Sequence, residues 1–264
     1  MNVKAQDTAA DVLGERDWRR RDTLGVYWRE AAYQFLVLLR MPGFALPTLL
    51  FPAMFYLFFG VLFNRGHGAY FLATYGTFGI MGPALFGFGV GVAMEREHGI
   101  LALKRVFPLP PLAYFSSKLV MSALFAAMIV TILSIMAAAL GGVTIPAASW
   151  LSLAGVLIVG TIPFCALGLV IGLSINGQAA AAVVNLIYLP MSFLSGLWIP
   201  IQMMPHFLQQ FALALPAYHL GQISLAVIGH GDGSSMTVHV GYLIMFSILC
   251  LAIAARCWRR IQDR

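Results

Sequence analysis

Residues 119–140 read LVMSALFAAMIVTILSIMAAAL, a run of 22 positions without a single charged side chain. A helix rises about 1.5 Å per residue, so this run would form a helix of about 33 Å, and the hydrocarbon core of a bilayer is about 30 Å thick. A charged side chain at the centre of a membrane helix costs about 2.5–3.5 kcal/mol on insertion scales, so its absence is informative. The run therefore predicts a transmembrane helix.

Five more stretches of similar length also lack Asp, Glu, Lys and Arg: residues 44–63, 69–94, 150–173, 179–199 and 238–255. Together with 119–140 they predict an all-α integral membrane protein with six spans. Residues 1–43 would be an N-terminal segment and 44–264 the transmembrane domain. Only 10% of the 264 residues are charged, against about 25% in soluble domains. This excludes a soluble enzyme, a nucleic-acid-binding domain and a secreted disulfide scaffold.

The 16 basic residues are unevenly distributed between the two sides of the predicted membrane. With the N-terminus inside, seven lie in residues 1–43, four between spans two and three, and four after span six, and only Arg65 lies outside. Cytoplasmic loops carry an excess of Lys and Arg. We therefore expect a multi-pass protein of the bacterial cytoplasmic (inner) membrane with both termini in the cytoplasm. The net charge of +6 then needs no nucleic-acid partner.

Residues 22–40 carry apolar side chains at steps of three and four, which share one helical face: Leu24, Trp28, Ala31, Phe35 and Leu38. Arg29 and Glu30 interrupt the apolar stretch, so it is too short for a span. An amphipathic helix in the cytoplasmic interface is predicted, and a short first span is the alternative.

The only sizeable cytoplasmic loop follows span two and begins with Glu95, Arg96, Glu97, His98 and Gly99. Gly99 and three later prolines predict a short helix over about 99–106 followed by a rigid turn. A membrane protein without a large soluble domain would use such a loop to contact a cytoplasmic partner. A loop that is merely solvated is the alternative.

The longest external segment, residues 200–237, begins with an uncharged stretch that is broken by Pro200, Pro205 and Pro216. Its apolar residues share a helical face: Phe207, Leu208, Phe211 and Leu215. This predicts a short amphipathic or re-entrant helix at the outer surface. Irregular backbone at membrane depth is tolerated only where it is buried in protein or lines a cavity. A gate is therefore predicted, and a passive surface flap is the alternative.

Small residues indicate where helices approach closely. Gly87 and Gly91 in the second span form a GxxxG motif, as do Gly168 and Gly172 in the fourth. Packing inside one subunit is favoured over a contact between subunits.

The combination of six spans, an interfacial N-terminal helix, the EREHG sequence at 95–99 and a proline soon after resembles the permease of a type-2 ATP-binding-cassette (ABC) exporter. Residues 194–200, LSGLWIP, with MMP at 203–205 and LPAYH at 215–219, resemble the same family's region around the exit of the fifth span. The resemblance implies that residues 95–107 form a coupling helix, which docks on an ATPase subunit through Glu95, Arg96, Glu97, Gly99 and Leu103. It also implies that residues 200–217 help to close the pathway as an external gate, which includes Pro200, Phe207, Phe211 and Pro216.

The chain has no Gly-Lys-Ser/Thr sequence of a Walker A loop. The resemblance therefore implies a separate ATPase subunit, which would hold ATP and Mg²⁺, while this chain binds no cofactor and is not an enzyme. Six spans are half a transporter in this family, so a second copy in a homodimer is implied.

A pathway without fixed charge predicts an amphiphilic substrate, such as a hydrophobic drug, a lipid or a lipid-linked saccharide. Its candidate lining residues are Phe78, Phe86, Asn185, Tyr188, Met191 and Ser192. An interhelical hydrogen bond is the alternative role for Asn185.

The sequence disfavours two other classes of membrane protein. A haem protein needs paired histidines in neighbouring spans, but the six histidines fall at or beyond the span ends, so no buried pair is expected. The three cysteines form no CxxC pattern, so no metal site is predicted. The alternative function is an ion-coupled secondary transporter or channel without an ATPase, which the charge-free spans disfavour.

Overall fold

The computed structural model describes residues 23–63, 66–100, 111–231 and 233–262, and every regular element within these ranges is a helix. The elements are Thr23–Leu39, Pro42–Phe55 with its π-helical continuation Tyr56–Phe63, Gly68–Leu85 with its continuations Phe86–Val90 and Gly91–Glu97, Pro111–Ala139, Ala147–Val159, Thr161–Ser174, Gly177–Leu194, the 3-10 turn Ile201–Met203, His206–Ala212, Pro216–Val227 and Met236–Gln262. The predicted helix over 99–106 lies almost wholly outside the described residues, as does Leu103.

The prediction of six spans is confirmed, because six helices within the described ranges are long and apolar enough to cross a membrane. Their bounds are Pro42–Phe63, Gly68–Glu97, Tyr114–Ala139, Ala147–Ser174, Gly177–Leu194 and Met236–Ile261. The second span is the centre of the bundle and is mostly buried, whereas the first, fifth and sixth spans lie at its edge. The protein is therefore an all-helical, multi-pass membrane protein.

The N-terminal helix and the end of the sixth span lie at the same end of the bundle as the start of the third span. Gln34 of the N-terminal helix hydrogen-bonds Ser117 at the start of the third span, and Phe115 packs its ring against Trp258 near the end of the sixth span. We call this the proximal end and the opposite one the distal end.

The N-terminal helix, Thr23–Leu39, packs one side against the third span. Ala31 and Gln34 are buried, and the Phe35 ring lies 5.2 Å from the Phe125 ring. Trp28, which the sequence places on the apolar face, is 65% exposed. That this helix lies in the membrane interface stays a prediction.

The fifth span ends five residues earlier than the predicted boundary at residue 199 because of a glycine. Gly196 has a φ of +76°, a left-handed conformation that ends helices. The amides of Gly196 and Leu197 donate to the carbonyls of Phe193 and Ser192, which is the Schellman pattern of hydrogen bonds. The apolar residues that follow are therefore part of a turn.

The distal segment contains two helices where one short amphipathic or re-entrant helix was predicted. Two helices, His206–Ala212 and Pro216–Val227, each follow or begin with a proline, as the fixed φ of that residue favours. Only the first is exposed. The second is buried over residues 216–225 and packs against the second, fourth and sixth spans, so it belongs to the core.

Both GxxxG motifs make contacts within the chain, as favoured from the sequence. A Cβ atom at Gly172 would lie 2.6 Å from the Phe88 carbonyl oxygen, and one at Gly168 would lie 3.1 Å from that of Ala84. The fourth span therefore packs directly on the backbone of the second.

Candidate functional site

A charged cluster joins the second and third spans at the proximal end. Lys118 Nζ lies 2.8 Å from Glu95 Oε1, and the two side chains are only 4% and 23% exposed. The Tyr114 hydroxyl donates to Glu95 Oε2 at 2.6 Å. The last turn of the second span and the first turns of the third thus supply both charges, which neutralise each other away from water.

The same cluster reaches the N-terminal helix. The Gln34 amide nitrogen lies 3.3 Å from the Ser117 hydroxyl, to which it donates, and 3.0 Å from Glu30 Oε1. Ser117 precedes Lys118 in the chain, so one polar layer links three helices. We call Gln34, Glu95, Tyr114, Ser117 and Lys118 the proximal cluster.

Arg96 joins the second span to the end of the fourth. Its guanidinium donates to the carbonyl of Leu173 and, at 2.8 Å, to that of Ile175. The last carbonyls of a helix lack partners within the helix, and a cation there is favourable. Arg96 therefore caps the proximal end of the fourth span.

The rest of the EREHG sequence faces outward. Glu97, His98 and Gly99 are exposed. Glu97 also approaches the start of the fifth span, since a Cβ atom at Gly177 would lie 2.5 Å from Glu97 Oε2. Gly99 has a φ of +72° and turns the chain away from the second span. The residues expected to bind an ATPase thus contact the third and fourth spans and approach the fifth.

A cavity of about 310 Å³ lies between the first, second and fifth spans. It brings together three of the predicted pathway residues, Phe86, Asn185 and Tyr188. The remaining lining residues come mainly from the first span and from glycines of the second: Gly43, Phe44, Pro47, Thr48, Phe51, Pro52, Gly79, Gly82 and Leu189. We call this the pathway cavity.

The other predicted pathway residues lie behind the cavity wall. Phe78 is buried and its ring stacks on the Tyr188 ring with centroids 5.0 Å apart. Met191 and Ser192 are buried too, and the Ser192 hydroxyl donates to the Tyr188 carbonyl. Phe78 and Ser192 thus contact Tyr188, one through its ring and the other through its backbone carbonyl.

The fifth span has one buried face and one open face. The buried positions recur every three or four residues: Gly177, Ala180, Val184, Tyr188 and Met191. On the open face, Gln178 and Asn185 are exposed. Asn185 makes no side-chain hydrogen bond to another described residue, so the interhelical bond considered for it does not form within the described part of one chain.

The predicted gate residues divide between surface and core. Phe207 and Phe211 are 67% and 52% exposed, Pro200 is half-buried and Pro216 is buried. The first distal helix therefore presents an aromatic surface, while Pro216 begins the buried helix behind it.

A buried histidine pair connects the distal elements, and the expectation that no such pair exists is wrong. His219 and His239, each 5% exposed, face each other with Nδ1 atoms 2.8 Å apart. His219 Nε2 lies 2.9 Å from the Leu213 carbonyl oxygen, and His239 Nε2 contacts the Ser234 hydroxyl. We call these four groups the distal histidine chain.

The neighbours of the distal histidine chain fix its protons. A carbonyl only accepts, so His219 Nε2 carries a proton, and in the neutral ring Nδ1 then accepts from His239 Nδ1. His239 Nε2, on the other side of its ring, contacts the hydroxyl of Ser234. Burial lowers the pKa of His219, the hydrogen bond to Leu213 raises it, and the nearby His239 lowers it. Each ring nitrogen of the two histidines thus has a hydrogen-bonding partner among the described residues.

Comparison with known proteins agrees with this architecture. Residues 27–228 match the family model described as ABC-2 type transporter. The chain is also 26% identical over 234 residues to Putative transport permease YvfS of Bacillus subtilis (strain 168), a match that covers 86% of this chain and 96% of the relative.

The chain belongs to the ABC-2 type transporter family. It is thus a transport permease rather than an enzyme, and permeases of this family in general work with an ATPase subunit. The EREHG resemblance pointed to the same family.

Sequence reasoning missed several residues of this ABC-2 permease. Thr48, Gly79 and Gly82 line the pathway cavity, and the glycine-rich second span and the prolines of the first were the available signals. Nothing in the sequence indicated that His219 would meet His239.

Proposed function

We propose that this chain is the permease subunit of an ATP-driven exporter that moves an amphiphilic substrate, such as a hydrophobic drug, a lipid or a lipid-linked saccharide, out of the cytoplasm. The observation that carries the proposal is the pathway cavity, whose lining includes no charged side chain. A charged solute would lose its hydration there without gaining a partner. An apolar molecule with a hydrogen-bonding group would find aromatic walls and the Asn185 amide.

A second copy of the chain, in a homodimer, is supported by the open face of the fifth span. Gln178 and Asn185 are exposed on that face, and amides that face hydrocarbon without partners are unfavourable. A twofold-related copy would bring the same face of both chains together. The amides would then lie between the copies, next to the pathway cavities.

The contacts of the EREHG segment support coupling to a separate ATPase subunit, which would hold ATP and Mg²⁺. Glu95 is bonded to the third span and Arg96 to the end of the fourth. A partner that displaced the exposed Glu97–Gly99 segment would pull on both spans at once. Leu103 and the rest of the proposed coupling helix would extend the docking surface.

The distribution of basic residues supports the orientation. With the proximal end in the cytoplasm of a bacterial inner membrane, 15 of the 16 Lys and Arg residues lie on the cytoplasmic side. Both termini are then cytoplasmic. Phe207 and Phe211 would lie outside, where the exposed distal helix closes the pathway.

Transport by the reconstituted complex tests the role of the pathway cavity. The permease and its ATPase are placed in liposomes, and uptake of a fluorescent phospholipid analogue and of a hydrophobic dye is measured at several concentrations. We expect Asn185→Leu to raise the half-saturating concentration about two- to tenfold, the effect of one lost hydrogen bond. Thr131→Val is the matched control, because its hydroxyl bonds its own helix at Ala127. Equal effects of the two variants would contradict the assignment of the cavity.

Dependence on ATP tests the class of transporter. We expect uptake to require both ATP and the ATPase subunit. Uptake that continues without the ATPase and follows an imposed ion gradient would establish the ion-coupled alternative. Transport of small inorganic ions only would show that the substrate is not amphiphilic.

A further inference from the structure

An apolar groove larger than the pathway cavity lies away from it, between the fourth span, the sixth span and the Pro216–Val227 helix. Its volume is about 470 Å³. The only polar side chain in its lining is Ser247, whose hydroxyl donates to the Leu243 carbonyl of its own helix. The groove therefore offers a ligand no free hydrogen-bonding side chain.

A bend in the fourth span creates the groove. The helix Ala147–Val159 ends at Gly160 and a new helix begins at Thr161. Leu220 enters the notch at Gly160, since a Cβ atom there would lie 2.5 Å from a Leu220 methyl carbon. Beyond the bend, Thr161–Ser174 packs closely on the sixth span, whereas the distal half of the fourth span diverges from it. The groove is the space left open by this divergence.

The depth of the groove matches one leaflet of a bilayer. On the sixth span it extends from Met236, the first residue of that helix, to Ile248, which at about 1.5 Å per residue is about 18 Å. Half of a hydrocarbon core is about 15 Å thick. The groove thus begins at the distal surface and ends near the membrane centre, along the path of one acyl chain.

We propose that this groove binds an acyl chain of a lipid from the distal leaflet, held longer than the lipids around it. Val159, Ile244 and Ile248 are 63%, 55% and 63% exposed in its walls, and at this depth only hydrocarbon is present to cover them. A chain seated there would fill the space between the two spans and support the bend at Gly160.

A second copy of the chain is the less suitable occupant. A twofold dimer uses one face of each copy, and the exposed amides at Gln178 and Asn185 place that face on the fifth span. The groove contributes no exposed polar group that would need a protein partner. Lipid binding here is separate from the proposed export function, and its failure would leave that function untouched.

Two glycines offer a matched test. A Cβ atom at Gly155, in the groove wall, and one at Gly241, on the sixth span outside the groove lining, would each meet nothing within 4 Å. A leucine side chain therefore fits at either position, and leucine has a higher helix propensity than glycine. Only Gly155→Leu places a side chain in the groove.

The full-length protein is reconstituted in nanodiscs of phosphatidylethanolamine and phosphatidylglycerol that contain a phospholipid with a photoreactive diazirine in one acyl chain. After illumination, the labelled peptides are mapped. We expect label to concentrate on peptides containing residues 155–163 and 236–248. Gly155→Leu should reduce that label about fivefold, because roughly ten carbon–carbon contacts are lost, whereas Gly241→Leu should leave it unchanged. Ile244→Phe, which also fills the groove, should act like Gly155→Leu.

Equal label on all lipid-facing helices would overturn the proposal, as would groove label that Gly155→Leu and Ile244→Phe leave unchanged. Label that maps instead to a cross-link between two copies of the chain at 236–248 would show that a second copy occupies the groove. Thermal unfolding of each variant in the same nanodiscs verifies that it is folded.

Discussion

The two ends of the helix bundle join their elements by opposite electrostatic means. The proximal cluster contains a full ion pair, Glu95 with Lys118, in a largely buried position. The distal histidine chain joins the rings of His219 and His239 by a hydrogen bond between their Nδ1 atoms. Removal of a charge from the proximal cluster should therefore destabilise the protein. At the distal histidine chain, addition of a charge should destabilise it.

Removal of a charge from the proximal cluster should have the largest effect. Glu95→Gln takes away the carboxylate that neutralises Lys118, which is 3% exposed. Loss of one partner of a buried ion pair costs about 3–5 kcal/mol, and we expect the low end because Glu95 is 23% exposed. The Tm of the purified protein should fall by about 6–12 °C.

Two further variants distinguish loss of the pair from loss of any charge in the segment. Glu97→Gln makes the same chemical change at an exposed position and should shift Tm by no more than about 2 °C. Adding Lys118→Met to Glu95→Gln should restore most of the stability, since apolar replacement of a buried pair is often neutral. If the double variant is no more stable than Glu95→Gln alone, the ion pair is not the cause.

Addition of a charge to the distal histidine chain should have an intermediate effect. A proton on His219 Nδ1 would oppose the proton on His239 Nδ1 across 2.8 Å and break the bond. Tyr242 stacks on the His219 ring at 3.9 Å and Tyr218 packs beside both rings, and His239 is the neighbouring group whose charge opposes a proton on His219.

The sign of the pH dependence follows from the lowered pKa of His219. The unfolded chain binds a proton at the ordinary value of 6.5, and the folded chain binds it only at lower pH. Stability is therefore complete above about pH 6.5 and is lost as the pH falls below it. Between pH 8 and pH 5 the Tm should fall by about 2–4 °C, the size expected for one buried hydrogen bond.

Variants assign this pH dependence to the pair. His219→Gln should lower Tm at pH 8 and flatten its dependence on pH, whereas His206→Gln, at an exposed position, should leave the wild-type profile. A profile that is unchanged in His219→Gln would place the titrating group elsewhere.

The two ends also differ in how far the sequence predicts them. Spans and their packing follow from local patterns, such as the uncharged run at 119–140 and the GxxxG glycines at 168 and 172. For the EREHG segment the sequence predicts a docking role, but it does not identify the partners of the side chains: Glu95 binds a lysine 23 positions away and Arg96 binds carbonyls on another span. Every residue has a backbone carbonyl, so a carbonyl that accepts a hydrogen bond cannot be identified from the residue type.

The distal end was beyond sequence reasoning for a related reason. In the sequence, His219 and His239 lie at or beyond the ends of spans, where exposed side chains are expected. They are buried because the Pro216–Val227 helix is buried, and Leu220 of that helix packs into the notch at Gly160. The end of the fifth span could have been placed better, because Gly196 is a recognisable helix stop.

Removal of a neutral hydrogen bond from the distal end should have the smallest effect. The Tyr242 hydroxyl donates to the Ala214 carbonyl at 2.6 Å, and Tyr242→Phe deletes this bond while it keeps the ring that stacks on His219. The cost should lie at the low end of the range for a neutral hydrogen bond, about 0.5 kcal/mol, or a Tm lower by about 1–2 °C, measured at pH 8. Tyr33→Phe, at a position 66% exposed, should leave Tm unchanged. The slope of Tm between pH 8 and pH 5 should stay as in the wild type, because Tyr242→Phe changes no proton of the distal histidine chain. A loss of stability larger than that of Glu95→Gln would mean that neutral hydrogen bonds, rather than the buried charge pair, dominate the joining of these helices.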